Sequence, residues 1–289
     1  MKRKSNKRGK RKYSKNILKS LTLTGFNPNG VKSKLTTIKK LIRDTQSAVV
    51  TIQETKCSQA GQFNLDGYYT YELVRSNAEG GGVAVSALKE LQPVFVSDGG
   101  ETVEALTIDI HSRNMAISVT SAYGPQESAT IVKKNAFWEY LSLEAQKAKA
   151  YGKGYILQGD LNAWLGPKYL PGDLHQQNRN GKMFANFLEE NKLICVNSLS
   201  LTEGLITRSR KCDSEIKQST IDFYVVCERV LPYVKSMKID NGKVHMLTNY
   251  FNVLMSMEIN LTSAPVKKNK VEIFNFNDAH SQIVFKEIT

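Results

Sequence analysis

The feature that most constrains the fold is an alternation, from residue 20 onward, of short β-branched runs with stretches of helical spacing. Apolar residues recur at three- and four-residue steps within 35–42, 137–141 and 183–188, which predicts three helices. Because these helices are interleaved with the strands, the sequence predicts an α/β fold with enough strands for two sheets. The predicted strands are 21–26, 48–53, 83–86, 103–110, 115–122, 155–158, 221–227, 233–239 and 253–259.

The domain organisation follows from composition along the chain. No Pro/Gly/Ser-rich linker interrupts residues 21–261 and no internal repeat is visible, so residues 20–261 are predicted to form one domain. Residues 262–289 are a polar, Lys-rich joint followed by a short apolar pattern, too small to fold alone. We expect this segment either to pack back onto the domain or to begin a further one. No run approaches the roughly 20 apolar residues of a membrane span, so no membrane partner is expected.

Positive charge is concentrated at the N-terminus. Ten of the 40 Lys and Arg residues lie in residues 1–20, which contain no acidic residue, so most of the net charge of +13 belongs to this segment. We expect residues 1–19 to be a disordered tail. It is either a solvated end or an arm that binds nucleic acid and directs the chain to the nucleus, the second being favoured by counterion release. The cations proposed to contact nucleic acid are Lys2, Arg3, Lys4, Lys7, Arg8, Lys10, Arg11 and Lys12.

Polar residues stand at the ends of the predicted strands, where a sheet brings distant residues to one rim. Carboxylates and amides together are hard oxygen ligands that suit Mg²⁺ or Mn²⁺ rather than zinc, and such an ion serves phosphoryl chemistry. Each residue taken singly is typical of a turn, so the prediction depends on the set. Its members are Asn27, Asn29, Glu54, Asp160, Asn162 and Asp222.

Neither GxxxxGK[ST] nor GxGxxG occurs, and the run Gly80 to Gly82 is predicted to be a turn that leads into a strand. The sequence therefore argues against a P-loop nucleotide site, and no small-molecule cofactor is expected.

Six short segments stand out along the chain: NPNGVKSKL (27–35), IQETK (52–56), EGGGVAV (79–85), SAYGP (121–125), GDLNAW (159–164) and STID (219–222). They occur in the order seen in the endonuclease/exonuclease/phosphatase superfamily, which the chain resembles. More narrowly, it is similar to the apurinic-type endonuclease domain of LINE-like non-LTR retrotransposons. The resemblance covers residues 20–289 and implies a four-layered α/β/β/α sandwich with two mixed sheets.

The resemblance also implies roles for individual residues. Glu54 would be the principal metal ligand, with Asn27 beside it. Asp160 and Asn162 would orient the attacking water and the scissile phosphate, and Tyr123 would donate a hydrogen bond to a phosphate oxygen. These roles suit the side chains, because amides and a phenol donate to phosphate without adding negative charge.

The sequence departs from the family at one motif. The family places Ser-Asp-His directly before its last strand, and Asp222 would orient that histidine, but residues 247–251 here read LTNYF. Either Asn249 and Tyr250 replace the Asp-His pair, or a deletion has joined an upstream segment to the strand, which we favour. His245 is a third possibility as substitute base, although it lies up to about 17 Å from Tyr250 along an extended chain.

Three functions are compatible with these patterns. The first is a Mg²⁺-dependent endonuclease that nicks duplex DNA for retrotransposition, with activity impaired by the missing motif and residues 262–289 leading toward an absent reverse transcriptase. The second keeps the fold but acts on a phosphoinositide, sphingomyelin or nucleotide. The third is an inactive nucleic-acid-binding remnant. The basic tail favours a long polyanion over the second.

Overall fold

The computed structural model describes residues 20–75, 80–112, 115–212, 215–240, 251–252, 254–260, 271–274 and 283–286. The proposed basic tail, His245, Asn249, Tyr250 and most of residues 262–289 lie outside these ranges, so the expectations placed on them stay predictions. Within the described part, no helix combines the length and apolar character needed to cross a bilayer.

Three α-helices and eighteen strands are described. The helices are α1 Leu35–Asp44, α2 Ile131–Ala150 and α3 Arg179–Asn191. The strands in chain order are β1 Ser20–Phe26, β2 Val49–Gln53, β3 Tyr68–Leu73, β4 Val83–Leu88, β5 Val94–Asp98, β6 Ala105–His111, β7 Ala116–Tyr123, β8 Gly154–Asp160, β9 Leu193–Cys195, β10 Thr202–Glu203, β11 Arg208–Cys212, β12 Glu215–Ser219, β13 Asp222–Cys227, β14 Val234–Asp240, β15 Phe251–Asn252, β16 Leu254–Asn260, β17 Val271–Phe274 and β18 Ile283–Lys286.

The strands form two large mixed sheets. One has seven strands in the order β10-β14-β16-β1-β2-β4-β3, and the other has six in the order β5-β6-β7-β8-β13-β9. Smaller sheets join β12-β11-β15 and β17-β18. The largest apolar cluster contains side chains from both large sheets, whereas separate clusters join α1 to the first sheet and α2 and α3 to the second. This is the predicted four-layered α/β/β/α sandwich.

Alternation along the buried strands separates the layers. In β2, Val50 and Ile52 pack with α1, while Val49 belongs to the core between the sheets. Thr51 and Gln53 also face the opposite sheet, where both donate hydrogen bonds to Gln158 of β8. A strand covered on both faces needs apolar residues on each, which is why β2 is buried throughout.

The predicted helices and strands are all present, with ends shifted by a few residues. The strands that the sequence analysis missed include β3, β5, β11 and β12. β5 has three exposed residues in a row, and the described residues of β12 are mostly exposed. Such edge and hairpin strands lack the buried, β-branched runs that reveal a central strand, because tertiary pairing rather than apolar burial forms them.

Gly159 of β8 pairs with Ala122 of β7, immediately before a predicted site residue. A Cβ atom at Gly159 would lie 2.1 Å from the carbonyl oxygen of Ala122, and backbone cannot move aside as a side chain can. We expect Gly159→Ala to lower the free energy of unfolding by about 1–3 kcal/mol, the usual cost of overpacking, measured by urea unfolding.

Gly154, in the same strand, provides the matched control. Its added Cβ would meet the side chains of Val230, Met115 and Ile117, which can adjust. Gly154→Ala should therefore destabilise the chain less than Gly159→Ala, and equal losses would contradict the backbone contact as the cause.

Candidate active site

Three neighbouring strands of the second sheet end in a row of polar side chains. β7 is parallel to β8 and pairs Tyr123 with Asp160, while β13 is antiparallel to β8 and pairs Asp222 with Asp160. Asp160 is the last residue of β8 and Asp222 the first of β13, so opposite strand directions bring both carboxyl groups to one edge. Side chains of directly paired residues share a face of the sheet. The register thus places a phenol and two carboxyl groups side by side.

The first sheet contributes two more residues to the same edge. Asn27 and Glu54 come directly after the parallel strands β1 and β2, in which Phe26 pairs with Ile52. Asn27 Nδ2 donates to Glu54 Oε1 at 2.7 Å and to Asp160 Oδ2 at 3.1 Å. One amide group therefore connects a carboxylate of the first sheet with a carboxylate of the second.

These residues line a cleft of about 560 Å³. The cleft brings together the residues to which the sequence analysis gave a catalytic or metal-binding role, apart from His245, Asn249 and Tyr250, which lie outside the described residues. It also contains residues that the sequence analysis did not single out. The full lining is Asn27, Asn29, Glu54, Tyr123, Gln126, Glu127, Ser128, Asp160, Asn162, Trp164, Asn178, Arg208, Ile221 and Asp222.

Three residues of the cleft lining, Asn29, Glu54 and Asn162, have a positive φ, which side chains disfavour, and two of them were given a metal-binding or catalytic role from the sequence. Glu54 has φ of 48° and Asn162 has φ of 47°, both in the left-handed region. The carbonyl of Glu54 accepts from Gly30 N at 2.8 Å, and Asn162 N donates to Asp160 Oδ1 at 3.1 Å. Such conformations persist where surrounding contacts enforce them and are enriched at functional sites. The surrounding fold therefore holds both side chains in fixed positions.

The loop after β8 is fixed by the start of α3. Asn178 Oδ1 caps the helix by accepting from Gly181 N at 2.7 Å, and it also accepts from Trp164 N at 3.0 Å. Nδ2 of the same side chain donates to the Asn162 carbonyl at 3.0 Å, and Asn180 Nδ2 donates to that carbonyl at 3.3 Å. The sequence analysis missed Asn178 and Asn180. An Asn just before an apolar helical pattern is an N-cap signal that would have drawn attention to Asn178.

The carboxyl groups of the cleft are crowded. Burial, reinforced by the charge of Glu54, raises the pKa of Asp160 to about 6, against hydrogen bonds from Asn27 and the Asn162 backbone. Burial and then the charge of Asp160 raise the pKa of Asp222 well above its ordinary range. Burial raises the pKa of Tyr123 as well, with further contributions from Asp160 and Glu54. The negative charges of the cleft thus oppose the ionisation of Asp160, Asp222 and Tyr123.

A divalent cation fits this donor set. Within the described residues, no three His, Cys, Asp or Glu side chains are grouped to hold an ion by themselves. Mg²⁺, however, is commonly bound by one or two carboxylates and completes its shell with water and substrate phosphate. Glu54 and Asp160 both accept from the same Asn27 nitrogen, so the two carboxylates face one part of the cleft, and a cation bound there would offset their mutual repulsion.

The two histidines in the described ranges lie outside the cleft lining. His111 ends β6 and is exposed, with Nδ1 3.3 Å from the Gln92 carbonyl. His175 lies in the loop before α3, where Nδ1 is 2.9 Å from Asp173 Oδ1 and the ring packs on Trp164 with centroids 4.8 Å apart. His111 is thus a surface residue and His175 a loop residue.

The sandwich and its rim of Asn, Glu, Asp and Tyr define the class of protein. The model of the Endonuclease/Exonuclease/phosphatase family matches residues 14–209, and the chain belongs to this family.

Individual relatives are more distant. Craniofacial development protein 2 of Bos taurus is 21% identical over 258 residues, which are 86% of this chain and 43% of that protein. The protein of the same name from Tragulus javanicus is 23% identical over 171 residues, 57% of this chain and 30% of the relative. The chain therefore spans less than half the length of the curated relatives that it matches.

Solved structures share the fold at low sequence identity. The endonuclease domain of TRAS1, a telomere-specific non-LTR retrotransposon, matches with a TM-score of 0.63 and 16% identity, covering 84% of this chain and 100% of that one. The AP endonuclease LMAP of Leishmania major matches with a TM-score of 0.67 and 12% identity, covering 84% and 88%. A 3′-5′ exonuclease of Neisseria meningitidis matches with a TM-score of 0.65 and 15% identity, covering 83% and 100%.

Proposed function

We propose that this chain is a divalent-metal-dependent phosphodiesterase that nicks one strand of duplex DNA, as an endonuclease of a retrotransposon would, with slow turnover. The observation that carries the proposal is the Asn27 amide, which bridges Glu54 and Asp160 across the two sheets beside Tyr123 and Asp222. This arrangement combines a cation site with hydrogen-bond donors around one cleft, which is the requirement of phosphodiester hydrolysis.

Glu54 and Asp160, with Asn27 beside them, would hold Mg²⁺ or Mn²⁺. When bound, the ion neutralises charge on the phosphate and makes water a better nucleophile. Asn162 Nδ2 uses one N–H on the Gly124 carbonyl at 2.9 Å, which leaves its second N–H for a phosphate oxygen. Tyr123 presents a phenolic O–H to the same cleft. We assign Asp160 the further role of orienting the attacking water.

DNA is favoured as substrate by two observations. The structural relatives carry names of DNA-processing enzymes, and one Neisseria enzyme of this fold has been solved with a product DNA hairpin. The basic residues 1–19, outside the described ranges, would add non-specific attraction to a polyanion and direct the chain to the nucleus. That Neisseria enzyme is itself named a 3′ phosphatase, so the fold also accommodates removal of phosphate from DNA. A phospholipase of the same fold has no comparable support here.

A catalytically inactive DNA-binding remnant is the second candidate. The observation in its favour is the stretch 247–251, which lacks the Ser-Asp-His of the family. Supercoiled-plasmid nicking with Mg²⁺ and with chelator, run beside gel-shift binding, separates the two. Metal-dependent nicking supports the nuclease, binding without nicking supports the remnant, and the absence of both contradicts a role in DNA metabolism.

Trp164 is expected to contribute to substrate binding by stacking on a base. It lines the cleft, is 38% exposed and is supported by His175, so it offers an aromatic surface to an unpaired base. Stacking on such a residue is worth about 1–3 kcal/mol per base, so Trp164→Ala should weaken binding of single-stranded DNA about 10-fold, while Trp164→Phe should retain most of it. Fluorescence anisotropy with a labelled oligonucleotide measures the dissociation constant.

Tyr151 is the matched control for this substitution. It is an exposed aromatic residue next to the C-terminus of α2, near the start of β8, whereas the cleft is at the end of β8. Tyr151→Ala should leave DNA affinity unchanged. Equal losses from Tyr151→Ala and Trp164→Ala would show that stacking at the cleft is not the cause.

A further inference from the structure

Arg208 is the one cationic residue in the described lining of the cleft. The acidic residues of the same lining are Glu54, Glu127, Asp160 and Asp222. A phosphate group that enters such a cleft meets strong repulsion, which one divalent cation offsets only in part. Arg208 is therefore the side chain of the described lining whose charge can attract an anion.

The backbone at Arg208 is held against the start of β13. Thr207 Oγ1 accepts from Ile221 N at 3.0 Å and from Asp222 N at 3.1 Å, and Thr207 N donates to the Ser219 carbonyl at 3.1 Å. Arg208 itself pairs with Ser219 in the β11–β12 hairpin. These contacts fix the base of the Arg208 side chain beside Asp222 before any ligand binds.

The guanidinium group has no fixed acceptor in the part of the chain that the structure describes. Among the hydrogen bonds and ion pairs of these residues, none uses the Arg208 side chain, although the residue is partly buried. Its charge nevertheless acts on the cleft, because it opposes the rise that burial causes in the pKa of Asp160 and Asp222. A partly buried guanidinium with five N–H donors and no acceptor suits an anionic ligand.

We propose that Arg208 is a further catalytic residue, which donates hydrogen bonds to a nonbridging oxygen of the scissile phosphate. It would supply next to Asp222 the positive charge that the missing Ser-Asp-His motif would otherwise have provided. The inference rests on the proposed function for the identity of the phosphate as part of DNA. The shared chemistry is a phosphate monoanion, from either a DNA backbone or inorganic phosphate.

Binding without turnover tests the assignment. Dissociation constants are measured for a 12-base-pair duplex and for inorganic phosphate, in Ca²⁺ and in chelator, with the full chain and its variants. We expect Arg208→Gln to weaken both ligands about 10- to 100-fold, the usual range for a charge-assisted hydrogen bond. The slope of log affinity against log salt for the duplex should fall by about 0.9. Arg208→Lys should recover part of the affinity, since it keeps the charge but loses the planar fork.

Arg229→Gln is the control, because Arg229 is exposed near Gly152 at the opposite end of the sheet. If Arg208 merely balanced internal carboxylates, Arg208→Gln would lower the melting temperature and leave both dissociation constants unchanged, and this result would overturn the proposal. Arg208-dependent binding of phosphate without binding of duplex would support the residue assignment and contradict DNA as the substrate. A wild-type chain that binds neither probe would overturn the assignment.

Discussion

We expect Glu54→Gln to lower Mg²⁺-dependent nicking by at least about 10²- to 10³-fold, because the variant removes a charge that holds the ion at the transferred phosphate. The side chain of Glu54 lines the cleft, and its backbone has a left-handed conformation. The Asn27 amide donates hydrogen bonds to both Glu54 and Asp160. Substitution of Glu54 by the neutral isostere keeps the size of the side chain and one oxygen that can accept from the Asn27 amide. The change therefore tests charge rather than packing.

The same variant has a second readout that does not need turnover. At a Mg²⁺ concentration 100 times the dissociation constant, binding should stabilise the wild-type fold by about 2.7 kcal/mol, and this gain should disappear in Glu54→Gln. Without metal, the variant should be at least as stable as the wild type, because one crowded carboxylate has been neutralised. Crystals soaked in Ca²⁺ or Mn²⁺ should show density beside Glu54 in the wild type alone.

Glu203→Gln is the matched control. Glu203 is an exposed acid of β10 whose carboxylate lies 3.7 Å from Lys238, and it takes no part in the cleft lining. This variant should keep both nicking and the stabilisation by Mg²⁺. Metal density that persisted beside position 54 in Glu54→Gln would show that the site has been misplaced.

We expect an insertion ending in Ser-Asp-His directly before Asn252 to raise the nicking rate by about 10²- to 10⁴-fold, the contribution of a general acid–base group. The pairing of β15 with β11 places Asn252 opposite Arg208, which lines the cleft. A segment that ends at this point is therefore next to a residue of the cleft lining and well placed to reach the cleft.

The double substitution Asn249→Asp with Tyr250→His is the comparison. If a deletion has shortened this stretch, those positions do not coincide with the family motif, and a displacement of about 1 Å can cost on the order of 10²-fold. We therefore expect little gain from the double variant. The unmodified chain could instead nick DNA and lose this activity in both Glu54→Gln and His245→Ala. That result would contradict both the replacement and the deletion interpretations of this stretch, and it would identify His245 as the base.

The central strands and the three helices were predictable because local patterns specify them. β2 and β8 are buried along their whole length and contain the short apolar or β-branched runs VVTI and YIL, and α1 shows a clear three- and four-residue repeat. β11, with the sequence RSRKC, has no such run. Its pairing with β12 and β15 depends on partners elsewhere in the chain, which no local pattern reveals.

The candidate site likewise contains residues that could be predicted from the sequence and residues that could not. Asn27, Glu54, Asp160 and Asp222 could be chosen from the sequence because each polar side chain interrupts or ends an apolar run at a strand boundary. Asn178 and Asn180 escaped notice because their contacts with the Asn162 carbonyl cross from one loop to a helix start. Arg208 escaped because nothing in its neighbours along the chain distinguishes it from a solvent-exposed cation.

The sequence by itself determined the chemical types at the rim and the order of elements that present them, since both follow from apolar periodicity and strand ends. Only the tertiary structure decided which groups meet. The register of β8 with β7 and β13 aligns Asp160 with Tyr123 and Asp222, and the packing of the two sheets lets Asn27 bridge Glu54 and Asp160. Register and sheet packing depend on contacts between residues far apart in the chain, and the electrostatic environment of Arg208 exists only once those contacts have formed.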